Sequence, residues 1–153
     1  KQFELTAYFY GYQGGDIFND TKWWTDFWPS FQGQKSTDLL NNSWTPTNTG
    51  ATTPKASQSS NFSTNAVANS YYIEDGSFAR LRNLQLAYNL PSSALSALKM
   101  SNARVYIQGV NIFTLTKYTG LDPELGGDDR AFGIDYGNFP LNKQVILGLN
   151  VSF

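Results

Sequence analysis

Two sets of residues in this 153-residue chain carry side chains suited to chemistry. Asp122, Glu124, Asp128 and Asp129 crowd carboxylates around Gly126 and Gly127. Several converging oxygens of this kind could hold calcium, although the spacing is not that of an EF-hand. A carboxylate pair can also cleave glycosidic bonds, but any acidic loop offers such a pair, and hydrolysis is not expected. The plain alternative is a solvated charge cluster. The second set is Trp23, Trp24, Trp28 and Trp44. Indole rings stack on sugars and anchor protein interfaces; they can equally form the small core of a long loop. Other chemistries are closed. The chain has no histidine and no cysteine, which removes Ser-His-Asp and Cys-His catalysis and most zinc sites. A net charge of −1 gives no electrostatic case for nucleic acid. No cofactor is expected beyond the calcium that this cluster leaves open, and no enzyme activity is expected.

These residues lie between four segments with strand alternation, at about 1–13, 77–90, 104–117 and 143–153. In the last, Val145, Leu147, Leu149, Val151 and Phe153 share one phase; Gln144, Gly148, Asn150 and Ser152 share the other, with Ile146 the single intruder. A period of two with one apolar phase marks a strand greasy on one side and wet on the other. Phe3, Leu5, Ala7 and Phe9 repeat the pattern, as do Leu84, Leu86, Tyr88 and Leu90. Val105, Ile107, Phe113 and Leu115 do so with Asn111 interrupting. Arg80 and Arg82 fall in the phase of Leu84 and Leu86 and are expected at the rim, near lipid headgroups or paired with Glu74 and Asp75.

The connections alternate in length: about 14–76 is long, 91–103 short, 118–142 long. Soluble domains rarely carry structureless loops of that first length, whereas outer-membrane barrels combine long outer loops with short inner turns. Strands of about ten residues suffice to cross a bilayer when tilted. Charged residues are only 15% and aromatics 16%, which suits barrel strands with polar loops and also a secreted β-sandwich that binds carbohydrate through its tryptophans. Short helical turns are expected at Asp38–Asn42 and after Ser92, as a cap, with Leu95 and Leu98. The chain begins at Lys1 without an initiator methionine and is read as a piece of a longer one, because four strands cannot close a barrel.

The string Tyr71-Tyr72-Ile73-Glu74-Asp75-Gly76-Ser77-Phe78-Ala79-Arg80-Leu81-Arg82-Asn83-Leu84, continuing to Tyr88-Asn89-Leu90-Pro91, resembles the SusC/RagA family of TonB-dependent outer-membrane transporters of Bacteroidetes. Further strings agree in family order. They are Gly11–Asn19, Trp44-Thr-Pro-Thr-Asn48, Arg104–Glu124 and Leu147-Gly-Leu-Asn-Val-Ser-Phe153. Together they cover nearly the whole chain. Ala79 departs mildly, where a larger apolar residue is usual, and residues 20–40 match no family motif.

The resemblance implies an all-β fold: the last four strands of a transmembrane antiparallel barrel of about 22 strands, closed around a plug that lies outside this chain. It implies import of glycan oligosaccharides or peptides, energised by TonB through an N-terminal box, with a SusD-like surface lipoprotein as lid. Residues 14–76 and 118–142 would be extracellular loops and 91–103 a periplasmic turn. The lipid-facing set would be Phe3, Leu5, Phe9, Leu84, Leu86, Val105, Ile107, Leu147 and Leu149. Phe153 would be the barrel-assembly signal or an interfacial girdle aromatic. Trp23, Trp24, Trp28 and Trp44 would be the candidate contacts to lid or substrate.

Overall fold

The structure, a computed structural model, describes residues 2–27, 35–56, 67–127 and 129–153. Trp28 and Asp128 lie outside the described residues. In chain order the strands are β1 (Phe3–Tyr12), β2 (Asp16–Asn19), β3 (Ile73–Asp75), β4 (Phe78–Asn89), β5 (Asn102–Thr116), β6 (Ile134–Asp135) and β7 (Gln144–Ser152). Short helices are α1 (Asp20–Lys22), which runs into a π-helical turn at Trp23–Phe27, then α2 (Thr37–Asn42) and α3 (Ser92–Leu98). Among the described residues no helix is long and apolar enough to cross a membrane. The chain divides into two units.

The first unit is an antiparallel sheet in the order β1-β4-β5-β7. Residues directly opposite one another in adjacent strands share a face. Leu5 pairs with Leu86, Leu86 with Ile107, and Ile107 with Leu147, so one row of aliphatic side chains crosses all four strands. Phe3, Tyr88, Val105 and Leu149 form the next row, with Phe3 and Tyr88 rings 4.9 Å apart. The paired positions on this face carry no charge, yet its residues stand open: Leu5 is 70% exposed and Leu147 78%. A soluble sandwich would cover such a face with a second sheet. Here it is left bare.

The opposite face is polar. Thr6, Gln85 and Gln108 share a row. Glu4 and Arg104 meet at 3.2 Å between Oε1 and Nη2. They stand on β1 and β5, and the pair spans β4 at Ala87, whose small side chain is buried between them. Opposite Tyr106 sits Gly148; a Cβ there would run into the tyrosine ring. The ring therefore lies flat on the neighbouring strand only because that residue is glycine.

Two bulges set the phase of this sheet. The β1–β4 register shifts between Tyr8 and Phe9, and the β4–β5 register between Leu81 and Asn83. Asn111 takes a left-handed backbone (φ 51°), a conformation asparagine tolerates better than most residues. Its amide also donates to the Asn142 carbonyl at 3.3 Å. These irregularities keep Val105, Ile107, Phe113 and Leu115 on one face despite the interruption between them.

The same bulge corrects the expectation for Arg80. One extra residue at Arg82 carries Arg80 to the polar face, opposite Tyr10 and Thr114. It is 2% exposed, and its Nε donates to Thr114 Oγ1 at 3.0 Å. The Arg82 guanidinium stands 5.0 Å over the Tyr10 ring. Between β4 and β5, α3 is capped by Pro91 rather than Ser92, which is already helical and makes no capping bond. The helix ends with Lys99 in a left-handed conformation, so that Met100 N–H returns to the Leu95 carbonyl at 3.0 Å.

The second unit gathers residues 13–77 and 117–140. Strand β2 lies between β3, antiparallel, and β6, parallel. Phe27, Leu39 and Tyr72 form its core, with Phe18, Trp23 and Tyr71 packed against them. Ser36 caps α2 by accepting the Leu39 N–H at 3.1 Å. The two long connections thus share one small domain instead of forming independent loops.

Candidate functional site

The chemistry-bearing residues concentrate in this second unit. Asn19 caps α1, its Oδ1 accepting the Lys22 N–H at 2.9 Å. That turn aims the Lys22 ammonium at Glu74, 3.2 Å from Oε1, and 4.1 Å over the Tyr71 ring. Glu74 also accepts from Asn19 Nδ2 at 3.2 Å, and from the backbone and hydroxyl of Thr119 at 2.8 Å each. Burial raises its pKa, but the Thr119 bonds and the Lys22 charge outweigh this and hold the carboxyl below the usual glutamate range. The expected pairing of Glu74 and Asp75 with the β4 arginines is therefore replaced. Glu74 serves Lys22 and Thr119, and Asp75 accepts the Ser77 N–H at 2.9 Å.

Two tyrosine–aspartate pairs occupy the interior. The Tyr71 hydroxyl donates to Asp26 Oδ2 at 3.0 Å, and the Tyr118 hydroxyl to Asp135 Oδ2 at 2.6 Å. Burial, and then the neighbouring carboxylate, push both phenols above the ordinary tyrosine pKa, so each remains a proton donor. Asp135 is 1% exposed and uses its other oxygen to accept the N–H groups of Gly137 and Asn138, at 2.8 and 3.3 Å. Asp38 accepts from Asn42 Nδ2 and from Thr53 Oγ1, the latter at 2.8 Å, and these bonds lower its pKa.

The sequence candidates are dispersed by this framework. Trp23 packs against the core, edge-on to Trp24 at 4.9 Å. Trp24 is 44% exposed, with Nε1 tied to Asp20 Oδ2 at 3.0 Å. Trp44 is also partly exposed, and its backbone N–H bonds to Thr53. Trp23 and Trp24 thus stand together. Of the acidic residues, Asp122 is buried and closes a local turn onto the Glu124 N–H at 2.9 Å, while Asp129 is exposed in a short helical turn. Among the described residues no three Asp, Glu, His or Cys side chains converge to hold a metal.

The sequence reading missed a third set. Phe132, Tyr136 and Phe139 are 92%, 60% and 100% exposed on the segment that Asp135 braces. Large aromatics held open on a rigid turn are the usual make-up of a contact surface. Their spacing of four and then three residues is that of a helix face, yet the segment folds as a turn around β6 and not as a helix; the signal available was aromatic density beside Gly133 and Gly137.

No family model matches the chain. Whole-chain similarity is nevertheless found to curated proteins. TonB-dependent receptor P3 of Formosa agariphila is 34% identical over 100% of this chain and 15% of its own length. TonB-dependent receptor P26 of the same organism is 31% identical over 100% of the chain and 16% of its length. TonB-dependent receptor SusC of Bacteroides thetaiotaomicron is 34% identical over 54% of the chain and 8% of its length. Among solved structures, the RagAB peptide importer in its closed-closed state matches 100% of this chain and 16% of that chain, with 32% identity and a TM-score of 0.79. The open-open state gives 33% identity and a TM-score of 0.75 over the same shares. The chain therefore spans about one sixth of the proteins it matches.

Proposed function

Since this chain is homologous along its whole length to a segment of the TonB-dependent receptors of the SusC/RagA kind, we propose that it is part of the wall and outer loops of an outer-membrane β-barrel importer. The observation that carries this reading is the bare apolar face of the four-stranded sheet, backed by a polar face on the same strands. In a bilayer that face meets lipid through Phe3, Leu5, Phe9, Leu84, Leu86, Val105, Ile107, Leu147 and Leu149. The polar face, with the Glu4–Arg104 pair, lines the lumen. Phe153, just past the end of β7, is the assembly signal and an interfacial girdle aromatic. The four strands are four of about 22, the others and the plug being supplied by the rest of the receptor.

Residues 14–76 and 118–142 are on this reading extracellular, with Trp24, Trp44, Phe132, Tyr136 and Phe139 presented to a SusD-like lid or to cargo. Cargo is an oligosaccharide or peptide, TonB supplies the energy, and no metal or cofactor takes part. An epitope inserted after Gly137 of the full-length receptor tests the reading. Antibody should label intact cells, and the receptor should fractionate with the outer membrane. Labelling only after permeabilisation, or recovery in a soluble fraction, would overturn it.

A further inference from the structure

We propose that Glu74 is a clasp that makes the two long connections, residues 13–77 and 117–140, move as one body. Strand β3 places its carboxylate where three segments meet. Oε1 faces Lys22 Nζ and Asn19 Nδ2, both at 3.2 Å, and Oε2 accepts the Thr119 N–H at 2.8 Å. The Thr119 hydroxyl lies 2.8 Å from both oxygens. The Glu74 side chain is 12% exposed. A carboxylate offers about four acceptor positions, and these donors fill them. Bonds to a charged acceptor away from water are stronger than neutral ones. One side chain thereby joins residues 52 and 45 positions away in opposite directions along the chain.

The neighbouring residues build the seat for this clasp. At Gly76 a Cβ would lie 2.8 Å from the Ile17 side chain and 3.0 Å from the Gly15 carbonyl, so only glycine lets the chain run this close. The Ser77 hydroxyl accepts the Gly14 N–H at 3.1 Å, and Gly76 N–H reaches the Gly15 carbonyl at 2.7 Å. Asp75 orders the following turn through Ser77. Ile73-Glu74-Asp75-Gly76-Ser77 is thus fastened to residues 14–22 along its length, and the Glu74 side chain reaches across to Thr119. Strands β2 and β6 already join the same two segments through the Phe18 N–H to Gly133 carbonyl bond at 2.8 Å, and the Glu74 carboxylate adds a second link at Thr119.

Hydrogen exchange on the full-length receptor in detergent tests the clasp, and its readout does not depend on import. In Glu74→Ala, exchange should rise by about tenfold or more in both 16–22 and 117–121, with β5 unchanged. Glu74→Gln should fall between, because its carbonyl still accepts from Thr119 while its amide no longer attracts Lys22. Thr119→Val, which leaves the Lys22 pair intact, should loosen 117–121 and spare 16–22, and it carries the test if Glu74→Ala fails to assemble. Unchanged exchange at 117–121 in both Glu74→Ala and Thr119→Val would overturn the inference, as would loosening of only one segment in Glu74→Ala.

Discussion

Leu147→Arg in the full-length receptor should cost roughly 2–4 kcal/mol of barrel stability, the range for a cation placed on the lipid face near midplane. Its outer-membrane yield should fall accordingly. Leu147 stands in the row Leu5–Leu86–Ile107–Leu147, with further apolar rows on both sides. An arginine there has no carboxylate on its own face to pair with and is far from either end of β7. The adjacent residue supplies the control. Ile146 pairs with Gln108 on the polar face, so Ile146→Arg should cost less than about 1 kcal/mol, as expected where charge meets a hydrated wall. Equal yields for the two variants, by urea unfolding and heat-shift on gels, would remove the facing assignment.

The second large effect is expected at Asp135. Its carboxylate is buried and holds the Tyr118 hydroxyl and two backbone N–H groups. Asp135→Ala strips all three of their acceptor. Each orphaned buried donor costs about 1–3 kcal/mol, so a loss of roughly 3 kcal/mol or more falls on this segment. Residues 117–140 should become readily cleaved by protease, while the sheet formed by β1, β4, β5 and β7 stays folded. Tyr118→Phe removes only the phenolic donor and leaves the two backbone bonds, so it should cost about 1 kcal/mol. If Asp135→Ala resists protease as the parent does, the turn that presents Tyr136 and Phe139 does not depend on this carboxylate.

How much of this was readable in advance follows from where each interaction is encoded. The period of two identified the strands, because sheet geometry ties every second residue to one face. Val145, Leu147 and Leu149 therefore needed no partner to be grouped. Arg80 defeated the same rule. A bulge adds a residue without any local mark in hydropathy, and the phase beyond Arg82 flips. Asn111 did leave a mark, as an amide breaking an apolar phase, and its left-handed backbone is the physical reason.

The loop unit was less legible. The packing of Tyr72 with Phe27 and Leu39 joins residues far apart in sequence with no repeat to reveal them. The Glu74–Thr119 and Tyr118–Asp135 bonds are likewise long-range, so the carboxylates could be counted but their partners could not be named. The acidic cluster at Asp122 and Glu124 could be counted in the sequence, but not the turn that Asp122 closes onto the Glu124 N–H. The family resemblance rested on the string from Tyr71 to Leu84, and the structure supplies physical content for its Glu74-Asp75-Gly76-Ser77 part.

The most direct test of the membrane-wall account is a spin-label scan along β7, residues 144–152, in the full-length receptor reconstituted in lipid. Accessibility to oxygen, which concentrates in the bilayer, and to a water-soluble nickel chelate should alternate with a period of two. Labels at 145, 147, 149 and 151 should favour oxygen, and labels at 144, 146, 148 and 150 should not. Oxygen accessibility without that alternation, or chelate access at 147 and 149 equal to that at 148 and 150, would contradict the account.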